Sequence, residues 1–156
     1  MSNRRCFFIG HRDASEGVCK QLAAAIEQHI TEFGVTQFVA GHYGQFDRMA
    51  VREVAKARLR HPDVTQTMLL PYHPAEHPIQ LPDGFDDSFY PFEGERIPRK
   101  AAIVRANRYM AEHIDYLIAY AAHTVSNTRN LLKYARKCRQ KSPLVITELN
   151  LGGGTL

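Results

Sequence analysis

Residues suited to binding a phosphorylated ligand follow directly after the first apolar run of the chain. The segment Arg5–Ile9 has the pattern of a short buried strand, and Gly10, His11 and Arg12 come next. Glycine lets a backbone approach a ligand closely, imidazole titrates near neutral pH, and guanidinium binds phosphate or carboxylate. The carboxyl ends of the strands are where open α/β proteins bind their ligands. This loop is therefore the first candidate site.

A second glycine-containing loop follows the next apolar run. After Thr36–Ala40 the chain reads Gly41-His-Tyr-Gly44, and Asp47 stands three residues later. This spacing is also that of an ordinary turn with a helix cap, just as Asp13 after the first loop could cap a helix while Arg12 pairs with a nearby acid. The two loops together favour a binding site over two unrelated turns.

A third loop carries hydroxyl and amide side chains at the predicted start of a helix. Ser126, Asn127 and Thr128 precede an amphipathic segment that runs to Arg139. The N-terminal amides of a helix attract anions, yet the same residue types are ordinary helix caps. Both interpretations stay open for this loop.

The elements that must position these loops alternate between strands and helices. Apolar residues at helical intervals, among them Leu22, Ile26 and Ile30, follow a capping-box pattern at Asp13–Glu16. The patterns predict strands at residues 5–9, 36–40, 65–70, 116–120 and 144–147, with helices after the first strand and at 46–59, 101–110 and 128–139. Such alternation is typical of a parallel sheet that is covered on both faces.

We therefore predict an α/β fold with a doubly wound, mostly parallel sheet of five strands in the order 3-2-1-4-5. In that order the chain reverses direction between the first and fourth strands, so a crevice forms between the loops 10–13 and 121–128. One domain covers residues 1–149, because 156 residues with 44% hydrophobic content suit a single core. The glycine-rich tail 150–156 is expected to be flexible.

The proline-rich segment 71–98 interrupts this alternation. A loop of such length inside a compact domain is rarely a passive connection, and we expect a lid or a partner-facing excursion. His73 and His77 have a spacing that would suit a metal on a helix, but Pro74 and Pro78 disfavour a helix there. No metal site is predicted.

Composition narrows the classes of function. The chain lacks an apolar run long enough to span a membrane and a start that resembles a signal peptide, so we expect a cytoplasmic protein without a membrane partner. The three cysteines are widely spaced and are expected to be reduced thiols. The net charge of +4 is concentrated on the last helix, where it indicates a solvated outer face or a nucleic-acid contact.

Three motifs together resemble the YpsA-like branch of the SLOG superfamily. They are Gly10-His11-Arg12 after the first strand, Gly41-x-x-Gly44-x-x-Asp47-x-x-Ala50 after the second, and Asn107-x-x-Met110 leading into Asp115-x-Leu-Ile-Ala119. The resemblance extends from Arg5 to about Ile146. It implies a Rossmann-like domain, of bacterial or phage origin, that binds a nucleotide or a nucleotide-derived molecule. It adds Asn107 and Arg108 to the candidate ligand-binding residues.

The superfamily includes phosphoribohydrolases of the LOG type, the DNA-uptake protein DprA and sensor domains of bacterial defence systems. This chain departs from the hydrolases at three places. Ser126-Asn127 replaces a glycine pair, Leu131 stands at the position of their glutamate, and Ala106 stands at the position of their arginine. The resemblance therefore favours a binding protein over a hydrolase.

The leading hypothesis is a module that senses or sequesters a nucleotide or an NAD- or ADP-ribose-derived molecule, with no other cofactor. One alternative is an enzyme that cleaves the N-glycosidic bond of a nucleotide, in which His11 and Asp47 would be the catalytic residues. The other is a nucleic-acid-binding protein of the DprA type. The sequence leaves open whether the chain acts as a monomer or a homodimer.

Overall fold

The computed structural model describes residues 4–122 and 126–150. Ten helices and strands follow one another in these ranges, with single 3₁₀ turns at Glu16–Val18 and Arg99–Ala101. In chain order the elements are β1 (Arg5–Gly10), α1 (Cys19–Thr31), β2 (Gln37–Ala40), α2 (Gln45–Arg58), β3 (Thr65–Leu69), β4 (Asp87–Phe89), α3 (Ala102–His113), β5 (Tyr116–Tyr120), α4 (Asn127–Cys138) and β6 (Val145–Glu148).

The strands form one parallel sheet in the order β4-β3-β2-β1-β5-β6. The predicted order of five strands is confirmed, and the fold is Rossmann-like, with a sixth strand added beyond β3. Strand β1 lies at the centre, where Cys6 pairs with Phe38 of β2 on one side and Tyr116 of β5 on the other. The direction of winding reverses at this central strand, as the sequence predicts.

Side chains of β1 alternate between two cores, one on each face of the sheet. Cys6 and Phe8 pack with α1 and α2, whereas Phe7 and Ile9 pack with α3 and α4. All four side chains are at most 5% exposed. Burial on both faces explains why the strand reads as a continuous apolar run, and it fixes the loop that follows.

Strand β4 is absent from the sequence prediction. Asp87-Ser-Phe has neither the length nor the β-branched residues that identify a strand. It is held by tertiary contacts: the Thr67 hydroxyl of β3 donates to the Asp87 carboxylate at 2.6 Å, and the Leu70 amide donates to the Phe89 carbonyl at 2.8 Å. The segment 71–98 is therefore partly built into the sheet, and Phe92 anchors it in the second core at 6% exposure.

The start of α1 also differs from the prediction. The capping-box pattern at Asp13–Glu16 predicts a helix from that point, but a 3₁₀ turn comes first and α1 begins at Cys19. No side chain caps either element. The loop between β1 and α1 is longer as a result, which leaves more residues at the edge of the sheet.

The predicted tail begins with a residue that contacts α1. The Asn150 amide donates to the Gln21 side chain at 3.1 Å, while the rest of the expected tail lies outside the described residues.

In the described part of the chain, every helix is too short or too polar to cross a bilayer.

Candidate functional site

A cavity of about 670 Å³ opens at the carboxyl edge of the sheet, beside the central strand β1. Its walls come from the loops after β1 and β2, from α3 and from the start of α4. This volume lies within the range of about 300–1,000 Å³ that is usual for small-molecule sites. The eleven residues that the sequence nominates for ligand binding all line it: Gly10, His11, Arg12, Gly41, Gly44, Asp47, Asn107, Arg108, Ser126, Asn127 and Thr128.

The loops after β1 and β2 are in direct contact through their glycines. A Cβ atom on Gly44 would lie 2.7 Å from the Cα atom of Arg12, and one on Gly10 would lie 2.1 Å from the ring of Phe46. Gly44 has an extended backbone with φ −154°. We expected these glycines to admit a ligand, but their visible role is to let two loops and a helix pack together.

This packing occupies the N-terminus of α2. The amide of Gln45 donates to the Arg12 carbonyl at 2.9 Å, and the amide of Phe46 donates to the His11 carbonyl at 3.4 Å. Amides used in this way do not bind a phosphate. They hold the loop that carries His11 and Arg12 rigidly against α2.

The N-terminus of α4 has a different arrangement. Ser126 is the N-cap, and its hydroxyl accepts a hydrogen bond from the Arg129 amide at 2.9 Å. The Asn127 and Thr128 amides belong to the first turn, where helix geometry offers no acceptor within the helix. Since both residues line the cavity, their end of the helix is the anion-attracting end that faces the cavity.

Asp47 is a partly buried carboxyl in the cavity wall. Burial raises its pKa to about 6, although the Tyr43 amide, which donates to Oδ2 at 3.2 Å, opposes the rise. A Cβ atom on Gly41 would lie 3.0 Å from the same oxygen, so only glycine leaves this carboxyl its full space. A carboxyl with a raised pKa in a cleft is a frequent feature of functional sites.

His11 is nearly enclosed, with 5% exposure. Its ring meets that of Tyr120 of β5 in a T-shaped arrangement, with 5.5 Å between ring centres and an angle of 74° between planes. The imidazole therefore lies beside β5 in the wall of the cavity. Its position fits a hydrogen-bonding role toward a ligand better than that of a mobile surface base.

Three cationic side chains line the cavity, against two carboxyls at Asp13 and Asp47. Arg12 is exposed on the β1 loop and Lys100 on the turn before α3. Arg108 lies over the ring of Tyr134, with its guanidinium carbon 5.0 Å from the ring centre. The cations outnumber the carboxyls, so the cavity favours an anionic ligand, and the raised pKa of Asp47, about 6, increases the excess of positive charge as the pH falls below neutral.

Several lining residues were missed by the sequence prediction. Lys100 stands before α3 in a segment without a motif, and Tyr43 reads as a turn residue between two glycines. Ile103 and Val104 of α3 give the cavity an apolar side, where Val104 is 43% exposed. A single exposed valine is ordinary on a protein surface, so the sequence held no signal for this wall.

Two apolar residues named in the sequence analysis also lie in this wall. Leu131 and Ala106 both line the cavity and are 9% and 0% exposed. They enlarge the apolar side of the cavity instead of supplying charge.

The other chemical candidates from the sequence have internal partners. His73 accepts from the Ala75 amide at 3.0 Å through Nδ1 and lies 3.1 Å from Glu93 through Nε2. Among the residues that the structure describes, no group of three His, Cys, Asp or Glu side chains is placed to hold a metal. On the basic helix α4, Arg129 donates to the Ala121 carbonyl and Arg136 pairs with Glu148.

No protein-family model matches the chain, and a search of curated proteins finds no match either.

Proposed function

We propose that this protein binds a nucleotide, or a molecule derived from NAD or ADP-ribose, in the cavity at the carboxyl edge of its sheet. One observation carries the proposal: the cavity combines the first turn of α4, three cationic side chains and an apolar wall at the reversal point of the sheet. A nucleotide has the matching chemistry, because its phosphate is anionic and its base has apolar faces.

The two ends of such a ligand have separate places in the cavity. The phosphate fits the α4 N-terminus with Arg12 and Arg108, since helix amides and guanidinium groups both bind phosphate oxygens. The base fits the side formed by Ile103, Val104 and Leu131. Asp47 and His11 then supply hydrogen bonds to sugar hydroxyls or to the edge of the base.

The resemblance to the YpsA-like branch of the SLOG superfamily supports the same ligand class. We also propose that the protein senses or sequesters this ligand in the cytoplasm. The sequence leaves open whether it does so as a monomer or as a homodimer.

A thermal-shift screen tests the proposal. AMP, GMP, cyclic nucleotides, NAD⁺ and ADP-ribose are each added to the purified protein, and hits are measured by isothermal titration calorimetry. A ligand at one hundred times its Kd adds about 2.7 kcal/mol to stability, which is readily visible as a rise in Tm. Adenosine is the unphosphorylated control. A rise in Tm with the phosphorylated ligands and none with adenosine supports the proposal. The absence of any rise across the series would refute it.

Asp47 favours one second candidate, the cleavage of an N-glycosidic bond. An acid whose pKa is about 6 can protonate a leaving base near neutral pH. In that reaction the bond between C1′ and the base nitrogen breaks as Asp47 donates its proton to the base. Water then forms a bond to C1′ and returns a proton to the carboxylate, which gives free base and ribose 5-phosphate.

Product analysis distinguishes binding from cleavage. Because Leu131 and Ala106 replace the hydrolases' charged pair, we expect no free base from AMP, GMP or NAD⁺ at rates near 1–10³ per second. Chromatography after incubation measures this directly. Turnover that disappears in Asp47→Asn would establish the enzyme and displace the binding protein.

A further inference from the structure

The loop after β2 and the start of the segment 71–98 form an aromatic cluster beside the cavity. We define the annex as His42, Tyr43, Tyr72 and His77. The rings of His42 and Tyr43 are 4.1 Å apart between centres, and those of Tyr72 and His77 are 5.1 Å apart. Both pairs border the cavity, because Tyr43 lines it and Tyr72 directly follows Pro71, which also lines it.

The annex is continuous with the cavity. Tyr43 belongs to both, and Pro71 and Lys100, the chain neighbours of Tyr72 and Arg99, line the cavity. The Arg99 guanidinium lies over the Tyr72 ring at 5.3 Å from its centre. Positive charge therefore extends from the cavity along Lys100 and Arg99 to the aromatic rings.

The tyrosines of the annex lie outside the two hydrophobic cores of the domain. Phe89, Tyr90 and Phe92 of the same long segment pack against the second core, but Tyr43 and Tyr72 belong to neither core. Within the described residues, Nδ1 of His42 is buried and lacks a hydrogen-bond partner. Large aromatic side chains outside the core, and an unsatisfied polar atom among them, are features that a bound ring would explain.

From this arrangement we infer that the annex is a second ring-binding subsite and that the ligand is a dinucleotide with a planar ring at each end, joined by a pyrophosphate. One ring occupies the apolar side of the cavity, and the other stacks on Tyr72 and Tyr43. The pyrophosphate keeps its place at the α4 N-terminus with Arg12 and Arg108, and Lys100 and Arg99 extend this positive charge toward the second ring. This inference rests on the proposed function, because it assigns the size of the ligand in the same site.

The test compares NAD⁺ with ADP-ribose, which has a hydroxyl group where NAD⁺ carries the cationic nicotinamide ring. Stacking of one ring is worth about 1–3 kcal/mol, so we expect NAD⁺ to bind at least about fivefold more tightly than ADP-ribose. In Tyr72→Leu this preference should disappear while the affinity for ADP-ribose is kept. Tyr72→Phe, which retains the ring, should keep the preference.

A charge control completes the experiment. Arg99→Ala should weaken NAD⁺ binding, whereas Arg96→Ala, which removes an exposed arginine three residues earlier in the chain, should not. Equal affinity for NAD⁺ and ADP-ribose would overturn the inference that the annex binds a ring, and would leave the proposed function intact. Binding of neither compound, and of no other nucleotide, would overturn both. Circular dichroism of each variant confirms that it is folded.

Discussion

At the scale of single residues, Arg12 and Asp47 differ in burial and therefore in the role that their charge can have in the cavity. Arg12 is exposed and its backbone is fixed by contacts from Gly44 and Gln45. Its side chain is thus free to serve a ligand without carrying the loop. Asp47 has the opposite character, because its partly buried carboxyl is costly to ionise in the folded protein.

Arg12→Ala should weaken the binding of a phosphorylated ligand by about 2 kcal/mol, which is roughly thirtyfold in Kd, through loss of a charge-assisted contact. The Tm of the free protein should stay nearly unchanged. Calorimetric titration and thermal melting measure the two effects. Arg139→Ala, at the exposed far end of α4, is the matched control and should change neither. Unaltered affinity with a large fall in Tm would show that Arg12 is structural.

Asp47→Asn should stabilise the free protein at pH 7. The pKa of Asp47 is about 6 when folded and close to 3.8 when unfolded, so the folded state holds the proton more tightly and loses stability as pH rises between these values. Removing the charge should add about 1–3 kcal/mol at pH 7, and the gain should shrink as pH falls towards 4. Urea denaturation across pH measures it.

Asp86→Asn gives the opposite control. The pKa of Asp86 is lowered, although burial alone would raise it, by hydrogen bonds from the Gln66 amide and Arg58. Its ionised form therefore stabilises the fold above the unfolded pKa, and the Asn variant should be less stable at pH 7. Loss of stability in Asp47→Asn as well would contradict the raised pKa of Asp47.

At the scale of elements, close packing between loops and helices sets the shape of the site. Gly10 and Gly44 allow β1, the β1 loop and α2 to meet, and Arg108 is held by a residue of the neighbouring helix. The hydroxyl of that residue, Tyr134, donates to Glu112 of α3. The cavity wall thus depends on α3 and α4 being packed together.

Gly44→Ala should cost about 1–3 kcal/mol of stability, because the new methyl group meets the Arg12 backbone, which cannot move without shifting the β1 loop. Gly41→Ala is the comparison, since its methyl group meets only the end of the Asp47 side chain, at 3.0 Å. Chemical denaturation should therefore rank Gly44→Ala as clearly the less stable. Equal stability of the two variants would contradict a tight contact between residue 44 and the Arg12 backbone.

Tyr134→Leu should weaken ligand binding about fivefold, because a cation–π contact of roughly 1 kcal/mol no longer orients Arg108. Tyr134→Phe keeps the ring and should bind normally. Arg105→Ala is the control on α3, the helix of Arg108, since Arg105 lies over Phe92 at 5.4 Å and does not line the cavity. Calorimetric titration of all three variants measures their ligand affinities. An effect of Arg105→Ala as large as that of Tyr134→Leu would indicate a general loss of packing.

The sequence predicts the elements that have a clear periodicity and misses those made by tertiary contacts. Strands β1, β2, β3, β5 and β6 and the reversal at β1 follow from apolar runs and glycine turns. Strand β4 exists through hydrogen bonds from β3 to a distant segment, which no local pattern encodes. Likewise, Tyr134 contacts Arg108 of the cavity wall only through the packing of α3 and α4.

At the scale of the whole molecule, the reversal of the winding brings three separate loops to one cavity. Residues near positions 10, 44, 107 and 127 meet there, although more than one hundred positions separate the first from the last. The basic residues of α4 lie elsewhere: Lys133 and Lys137 are exposed and do not line the cavity. A small ligand and a nucleic acid would therefore contact different surfaces.

The most direct test of the account is a map of backbone amide shifts by nuclear magnetic resonance during titration with NAD⁺ and, separately, with a short oligonucleotide. We predict that NAD⁺ shifts the amides of Arg12, Tyr43, Arg108, Asn127 and Thr128, and that the shifts saturate. The oligonucleotide should leave these amides unchanged. Shifts confined to Lys133, Lys137 and their neighbours, or no saturable shifts at the cavity with any nucleotide, would contradict a nucleotide site at this edge of the sheet.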